Sequence, residues 1–178
     1  MQIEAGDKLG ARERLLFAGF QLFLQKGMDG TGVDEVLKTA EVSRGGMYHH
    51  FASKTELYEA VLDRYFLRGF SEFDLATFNS LSFDSQKDVL CQSLNDMFGD
   101  IEARYDVDRA RYFALFFDSL SRSPNFQRAI RSYYAKLTEA LIVTAPTESD
   151  ALNFMRLVEG EIYLATVFGR IPNFDAIL

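Results

Sequence analysis

Residues 41–57 read EVSRGGMYHHFASKTEL, and this stretch decides how the rest of the chain is interpreted. It predicts a short turn over residues 41–43 and a short helix from Ser43 or Arg44 to His50. Ser53 and Glu56 have the spacing of a capping box, in which two side chains bond the free amide groups at a helix start. The stretch therefore predicts a second helix that begins near Ser53.

Upstream of this stretch, the sequence predicts two more helices. Apolar residues recur at helical spacing over about residues 9–26, and Gly27 follows them as a stop. A second helix over residues 33–40 is preceded by Thr31, which has capping-box spacing with Asp34. Three helices, of which the last two are joined by a tight turn, describe a helix-turn-helix.

Downstream, every segment keeps the helical period, and no segment shows the alternation that is typical of a strand. Capping boxes at Ser85 and Thr147 predict two helix starts, and Ser123 before Pro124 predicts a third. The predicted helices cover about residues 53–77, 85–103, 112–120, 124–144 and 147–169.

These patterns predict an all-α fold of about nine helices. A three-helix bundle with a helix-turn-helix would occupy residues 1–54, and a larger all-helical domain would occupy residues 55–178. Of 178 residues, 48% are hydrophobic and 25% charged, which excludes a disordered or collagen-like chain. No apolar run reaches about 18 residues, and charges interrupt the first twenty, so we expect neither a membrane span nor a signal peptide. The single cysteine excludes an intrachain disulfide and fits a reducing, cytoplasmic location.

A formal net charge of −7 argues against general attraction to nucleic acid, but it says nothing about a local site. Residues 42–54 contain Arg44 and Lys54 and no acid. An arginine can fork onto guanine O6 and N7, and Gly45 and Gly46 remove side chains where a backbone approaches a groove closely. Lys54 falls in the first turn of a helix, where free amide groups already favour an anion. This window therefore predicts contact with DNA.

The run over residues 41–57 resembles the signature of the TetR family of bacterial transcription regulators, in the order turn, recognition helix and start of the fourth helix. Residues 30–33 and 37–40 match as well, and the strong match covers about residues 10–60. The resemblance implies a homodimeric regulator of double-stranded DNA operators, and specifically a repressor that a small lipophilic or aromatic effector releases. The larger domain would then bind the effector and hold the dimer together.

The resemblance also implies individual roles at the DNA. Arg44 and Tyr48 would reach bases or flanking sugars, whereas His49 and Lys54 would lie against phosphates. The implied DNA-binding set is Thr31, Gly32, Ser43, Arg44, Gly45, Gly46, Tyr48, His49 and Lys54. Two departures predict modest non-specific affinity: Gly32 stands where many members carry a hydroxyl, and the next turn carries Asp34 and Glu35, which repel DNA.

In the larger domain, the resemblance implies that residues 124–144 and 147–169 form a four-helix interface with a second chain. Such a dimer would contact two half-sites roughly 34–36 Å apart, or a multiple of that distance, on a near-palindrome. Aromatic residues crowd the region 66–134, where the resemblance implies an effector cavity. The candidate lining residues are Phe66, Phe98, Tyr105, Tyr112, Phe116 and Tyr133.

Other functions have less support in the sequence. Residues 109–131 carry five arginines and one acid, which leaves open a regulator gated by a protein partner, although pairing with the acidic run 96–108 is the simpler interpretation. No phosphate loop and no nucleophile–base pair supports an enzyme. The adjacent His49 and His50 do not face the same side of a helix, so we expect no metal site or cofactor. Cys91 has Asp88 and Asp96 as sequence neighbours, which oppose a lowered thiol pKa, so it fits a small buried apolar residue better than a sensor.

Overall fold

The computed structural model describes residues 10–99, 101, 105 and 107–178, and all regular elements in these ranges are helical. In chain order the helices are α1 (Ala11–Gly30), α2 (Val33–Ala40), α3 (Arg44–His50), α4 (Lys54–Leu62), α5 (Arg68–Glu72), α6 (Leu75–Asn79), α7 (Phe83–Phe98), α8 (Arg109–Arg122), α9 (Pro124–Thr144) and α10 (Glu148–Val167). A π-helical segment, Asp63–Leu67, joins α4 to α5, and a 3₁₀ helix covers Phe174–Ile177. The predicted all-α fold is confirmed.

The junction between α1 and α2 differs in part from the prediction. The predicted start of α1 near residue 9 lies outside the described residues. Gly27 interrupts α1 with a φ of +70°, a left-handed conformation that favours glycine, and one more helical turn follows. Thr31 does not cap α2: its buried hydroxyl donates to the carbonyl of Gly27 (Oγ1···O 2.8 Å). Gly32 takes the cap position without a side-chain bond, so the predicted capping box with Asp34 is wrong.

Two later predicted helix boundaries are also wrong, for a common reason. The helix predicted to run to residue 77 ends at Glu72, and Asp74 starts α6 by accepting from the amide three residues on (3.1 Å). Ser82, rather than Ser85, starts α7 in the same way (3.3 Å). In each case another polar side chain satisfies the free amide groups of the first turn. Part of the predicted end of α7, at residues 100 and 102–103, lies outside the described residues.

Three other predicted helix starts are confirmed. Ser53, Ser123 and Thr147 each accept a hydrogen bond from the amide three residues on, at 3.1, 3.0 and 3.2 Å. Pro124 occupies the first position of α9, where a missing N–H costs nothing. At Thr147 both bonds of the predicted capping box with Asp150 are present.

The described residues up to Gly69, together with Arg111–Gln127, form one compact unit that contains the helix-turn-helix. Buried polar bonds tie α4 to α8 and to the start of α9 within this unit. The Tyr58 hydroxyl lies 2.7 Å from Ser119 Oγ, and Ser123 Oγ donates to Glu59 Oε2 at 2.7 Å. The predicted boundary between residues 54 and 55 falls inside this unit, so a separate domain at residues 1–54 stays a prediction.

The second compact unit consists of the described residues in Phe70–Ala110 together with Arg128–Leu178. Its core includes Leu90, Leu141 and Phe174, all nearly inaccessible to solvent. The C-terminal segment is held in place by a side chain of α10: Glu161 pairs with Arg170 and accepts from the backbone amide of Asn173 (2.6 Å). This segment is therefore an integral part of the unit.

Candidate nucleic-acid interface

The turn between α2 and α3 is built by the backbone itself. Glu41 adopts a left-handed conformation (φ 52°), which lets the amide of Val42 bond back to the carbonyl of Leu37 at 3.1 Å. Arg14 on α1 donates from Nε to the carbonyl of Ala40 at 2.9 Å. These bonds satisfy carbonyls at the end of α2 and fix where α3 begins.

A side-chain cap and a buried face hold α3 in one orientation. Ser43 Oγ accepts from the amide of Gly46 at 3.1 Å. A Cβ at Gly46 would lie 2.9 Å from Val42 Cγ1 and 3.3 Å from Ser43 Oγ, so a larger residue here would force a neighbouring side chain to shift. Met47 is fully buried, and so is Phe51, whose ring lies under the Arg12 guanidinium (5.5 Å to the centroid). The opposite face of α3 therefore points away from the core.

The outward face carries most of the residues that the sequence assigns to DNA. Arg44, Gly45 and His49 are exposed, and Tyr48 is 50% exposed. A Cβ at Gly45 would meet nothing within 4 Å, so the backbone is open to close approach there. The exposed face of α3 thus offers a guanidinium, a phenol and an imidazole, which suits base edges and phosphates.

Two ion pairs connect the acidic first turn of α2 to nearby cations. Arg44 Nη2 pairs with Asp34 Oδ1, and the two side chains are 58% and 81% exposed. Glu35 pairs with Lys26 at the end of α1. The acids that the sequence predicts to repel DNA are therefore partly neutralised within the chain.

Lys54 makes two hydrogen bonds within the chain that the sequence did not predict. Its half-buried ammonium donates to the carbonyls of Met28 (2.8 Å) and Thr31 (2.9 Å). These bonds tie the start of α4 to the loop between α1 and α2. An ammonium has three donors, so phosphate contact by the remaining one stays a prediction.

Thr31 and Gly32 differ in their access to a ligand. Thr31 is buried: its hydroxyl faces α1, its amide donates to the carbonyl of Met28 (3.4 Å), and its carbonyl accepts from Lys54. Gly32 is exposed, and a Cβ there would meet nothing within 4 Å. The Thr31 hydroxyl therefore points away from solvent, whereas the backbone at Gly32 is open, and DNA contact at either residue stays a prediction.

The predicted effector residues are divided between the two units. In the first unit, Phe66 and Tyr112 are buried with ring centroids 4.6 Å apart, and Phe116 lies 5.8 Å from Phe66. The Tyr112 hydroxyl donates to the carbonyl of Tyr65 (3.2 Å). These three rings pack on one another in an aromatic core.

In the second unit, Phe98 is buried against Phe174 (6.0 Å), and Tyr105 is half-buried. Tyr133 is half-buried beside Phe70, with ring centroids 4.8 Å apart, and burial raises the pKa of its phenol to about 12. Burial also raises the pKa of the Cys91 thiol to about 11, with help from the charges of Asp175 and Asp88.

The first unit contains an open cleft of about 380 Å³ beside the C-terminal end of α1. Apolar Phe23 and Leu115 line it together with charged Arg111 and Arg122. None of the six predicted effector residues lines this cleft, and their shared cavity stays a prediction. Within the described ranges, no group of three or more His, Cys, Asp or Glu side chains has the placement of a metal site. No helix described there is long and apolar enough to span a bilayer.

The arginine-rich stretch makes mostly internal bonds. Arg111 donates to the carbonyl of Gln25 (2.9 Å), and Arg122 pairs with Asp29 (2.7 Å) and Asp118 (2.6 Å). Arg109 donates to the carbonyl of Arg170 at 2.8 Å. Three arginines of the stretch therefore have partners outside the acidic run 96–108. Part of that run lies outside the described residues, and pairing between the two runs stays a prediction.

The ion pairs at the start of α2 and the bond from Arg14 to Ala40 are not predictable from the sequence pattern. Asp34 and Arg44 are ten residues apart and lie on different helices, so no helical spacing rule connects them. Residues 42–54 contain no acid, because Asp34, the partner of Arg44, lies before this window. Only the geometry of the turn brings the two together.

A short helix that is capped at its start, packed on one face and polar on the other, and held by a tight turn defines a helix-turn-helix protein. The model of the family described as "Bacterial regulatory proteins, tetR family" matches residues 15–61. The matched residues cover α2, α3 and most of α1 and α4, so the helix-turn-helix region of this chain is similar to that of the family.

Curated relatives share this same region. The transcriptional repressor NemR of Escherichia coli K12 is 51% identical over 55 residues, which cover 31% of this chain and 28% of NemR. The transcriptional activator FasR of Mycolicibacterium smegmatis is 43% identical over 63 residues, covering 34% of this chain and 29% of FasR. The match thus spans less than a third of the length of either relative.

A solved structure extends the likeness in fold to most of the chain. The multidrug binding protein EbrR, complexed with malachite green, superposes with a TM-score of 0.69 over 93% of this chain and 92% of its own, at 18% identity. At that identity the likeness shows the fold alone. The helical fold beyond residue 61 therefore agrees with the fold of that protein.

Proposed function

We propose that this chain is a cytoplasmic transcriptional repressor that binds a near-palindromic operator as a homodimer and leaves it when a small lipophilic or aromatic effector binds. One observation carries the proposal: α3 presents Arg44, Tyr48 and His49 to solvent while its cap and its buried face fix its orientation. A rigid helix with donors along its exposed face is what major-groove recognition requires.

The dimer is supported by an apolar exposed surface on α10 and the residues that follow it. Leu164, Val167 and Phe168 are 44%, 58% and 71% exposed, and Leu157 and Tyr163 are exposed on the same helix. Large apolar side chains clustered on one exposed helix mark an interaction surface. This surface supports a homodimer through the predicted helices 124–144 and 147–169.

Two observations support an effector. EbrR, whose fold this chain shares, is a multidrug binding protein that was solved with malachite green. In this chain Tyr133 is half-buried beside Phe70 in the second unit, and an aromatic group there would suit a planar or lipophilic ligand. We retain Phe66, Phe98, Tyr105, Tyr112, Phe116 and Tyr133 as the candidate effector residues.

Release from DNA would be a two-state shift in the spacing of the two helix-turn-helix regions of the dimer. An effector changes operator affinity only to the extent that it binds the two states with different affinity. A ~100-fold preference for the DNA-free state would supply about 2.7 kcal/mol, and operator DNA would weaken effector binding by the same factor. Within the first unit, hydrogen bonds connect α4 to α8 and to the start of α9, through Tyr58–Ser119 and Glu59–Ser123. A shift of α8 or α9 would therefore move α4 and the helix-turn-helix.

Fluorescence anisotropy tests the DNA-binding part of this proposal. The probes are a duplex carrying the DNA that flanks the chain's own gene and a random duplex, at ~50 and ~200 mM salt. We expect selective binding that weakens by roughly 10³- to 10⁵-fold over this salt range if 6–10 phosphates are contacted. Tyr48→Ala should weaken operator binding without changing the mass of the dimer. Full affinity in this variant would contradict the assignment of α3 as the reading helix.

A further inference from the structure

The ion pair between Arg44 and Asp34 lies at the point where α3 would enter the major groove. Arg44 is the first residue of α3, and Asp34 is in the first turn of α2. Arg44 Nη2 contacts Asp34 Oδ1, and both side chains remain largely exposed. An arginine side chain is flexible, so a carboxylate that engages one end of its guanidinium restricts the directions in which the other donors point.

We propose that Asp34 is a specificity-determining residue that orients Arg44 for a base and raises the penalty for the wrong DNA. This inference rests on the proposed function, because it concerns how the same reading head selects a sequence. Asp34 occupies one donor of a guanidinium that has five, which leaves enough donors for a bidentate contact with guanine.

The charge of Asp34 acts together with its positioning of Arg44. When Arg44 finds its base, the pair remains intact and the carboxylate stays neutralised. When the base is wrong, Arg44 would have to leave Asp34 to reach a phosphate, and an unpaired carboxylate would then face the DNA backbone. Asp34 therefore weakens non-specific binding more than specific binding, which is how a repulsive group produces selectivity.

The chain provides a matched control for the charge alone. Glu35 is the next residue of the same helix turn, but its partner is Lys26 on α1 rather than a residue of α3. Asp34→Ala and Glu35→Ala each remove one negative charge from the start of α2. Only Asp34→Ala also removes the group that holds Arg44.

The experiment measures binding of the full chain to two labelled duplexes by anisotropy. One duplex carries the site that the wild-type protein selects from a random library, and the other is a scrambled duplex of the same composition. Both alanine variants should bind the scrambled duplex about 2- to 5-fold more tightly, the scale of one unit charge a few ångströms from a phosphate in water. The ratio of specific to scrambled affinity should fall about 5- to 10-fold in Asp34→Ala, at the lower end of what one bidentate base contact discriminates. Glu35→Ala should keep that ratio.

A second pair of variants separates positioning from any loss of α2 stability. Arg44→Lys keeps the charge of residue 44 but loses the planar fork, so it should lower the ratio by a similar factor. Adding Asp34→Ala to Arg44→Lys should then lower the ratio no further. Circular dichroism of each variant confirms that the helices are intact.

Equal ratios for Asp34→Ala and Glu35→Ala would overturn the inference while leaving the proposed function in place. A further fall on adding Asp34→Ala to Arg44→Lys would also overturn it, because Asp34 would then act without Arg44. If the wild-type protein selects no site at all, the proposed function fails, and this inference fails with it.

Discussion

At the scale of single residues, Lys54 shows how one side chain can serve stability and binding together. Its two bonds to the carbonyls of Met28 and Thr31 hold the loop before α2 against the start of α4. A lysine at the start of a helix is unfavourable for the helix dipole, and these carbonyls provide a reason for it within the chain. The position therefore supports the reading head whether or not it touches a phosphate.

Lys54→Met should lower the free energy of unfolding by about 1–3 kcal/mol, because two half-buried carbonyls lose their donor. Urea denaturation followed by circular dichroism measures the change. The exposed Lys38 on α2 provides the control, and Lys38→Met should change stability by less than about 0.5 kcal/mol. Equal effects of the two substitutions would show that the Lys54 bonds contribute nothing.

Cys91 should be unreactive in the folded chain. Burial raises the pKa of its thiol to about 11, so nearly all of it is protonated at pH 8, and only the thiolate is the nucleophile. Reaction with a disulfide reagent should be at least about 100-fold slower than in urea, where the thiol returns to its ordinary pKa near 8.5. The chain has one cysteine, so the assay reports this site alone. Rapid reaction in buffer would identify an accessible, sensor-type thiol instead.

At the scale of helices, the fold was predictable where the signal is local. Thr147 and Ser123 start their helices as predicted, because a capping side chain and its amide lie three residues apart. The helix predicted after residue 53 is too long, because apolar periodicity continues through the bend at residues 73–74, where Asp74 starts a new helix. Periodicity reports burial, and it cannot show which of several polar residues satisfies the amide groups.

Ser123 is an element-scale test, because it joins two helices. Its hydroxyl accepts from the amide of Phe126 at the start of α9 and donates to Glu59 on α4, and the residue is fully buried. Ser123→Ala should lower the free energy of unfolding by about 1–3 kcal/mol, since a helix cap and a partner for a carboxylate are lost together. Ser121→Ala is the control, because that hydroxyl is exposed and bonds within its own helix. A thermal or urea melt in which both variants match the wild type would contradict this role.

The contact between α10 and the C-terminal segment makes stability depend on pH. The hydrogen bonds from Arg170 and the amide of Asn173 lower the pKa of Glu161 below its ordinary value of 4.5. The contribution of this group is therefore present above pH 4.5 and is lost as the pH falls through the lowered pKa. Glu161→Gln should lower Tm by about 2–4 °C at pH 7, and the difference from wild type should narrow below about pH 4. The exposed Glu139→Gln should show no such trend.

At the scale of the whole molecule, the exposed apolar surface of α10 predicts self-association. Phe168→Glu should convert a dimer of twice 20.3 kDa into a monomer, because it places a charge where an apolar side chain would be buried. Size-exclusion chromatography with light scattering measures the mass. Val89→Glu on α7 is the control, since Val89 is 40% exposed but lies outside the predicted interface. A wild-type monomer, or an unchanged dimer in Phe168→Glu, would contradict this interface.

The candidate DNA site was more predictable from sequence than the effector site, and the reason is physical. Arg44, Gly45 and Tyr48 lie within one short helix, so their spacing alone sets their common face. The candidate effector residues come from helices far apart in the chain, and aromatic composition does not distinguish a cavity wall from a packed core. Phe66 illustrates the difficulty, because it is buried among other rings of the first unit.

The most direct test of the central claim is selection of binding sites from a random DNA library by the purified chain. Because a symmetric dimer presents two copies of α3, we expect a near-palindrome whose half-sites are centred roughly 34–36 Å apart or a multiple of that distance. Within each half-site, a guanine should be enriched opposite Arg44, and that preference should disappear in Arg44→Ala. Recovery of no enriched sequence, at ~50 mM salt and with a folded dimer, would contradict the claim that α3 is a sequence-reading helix.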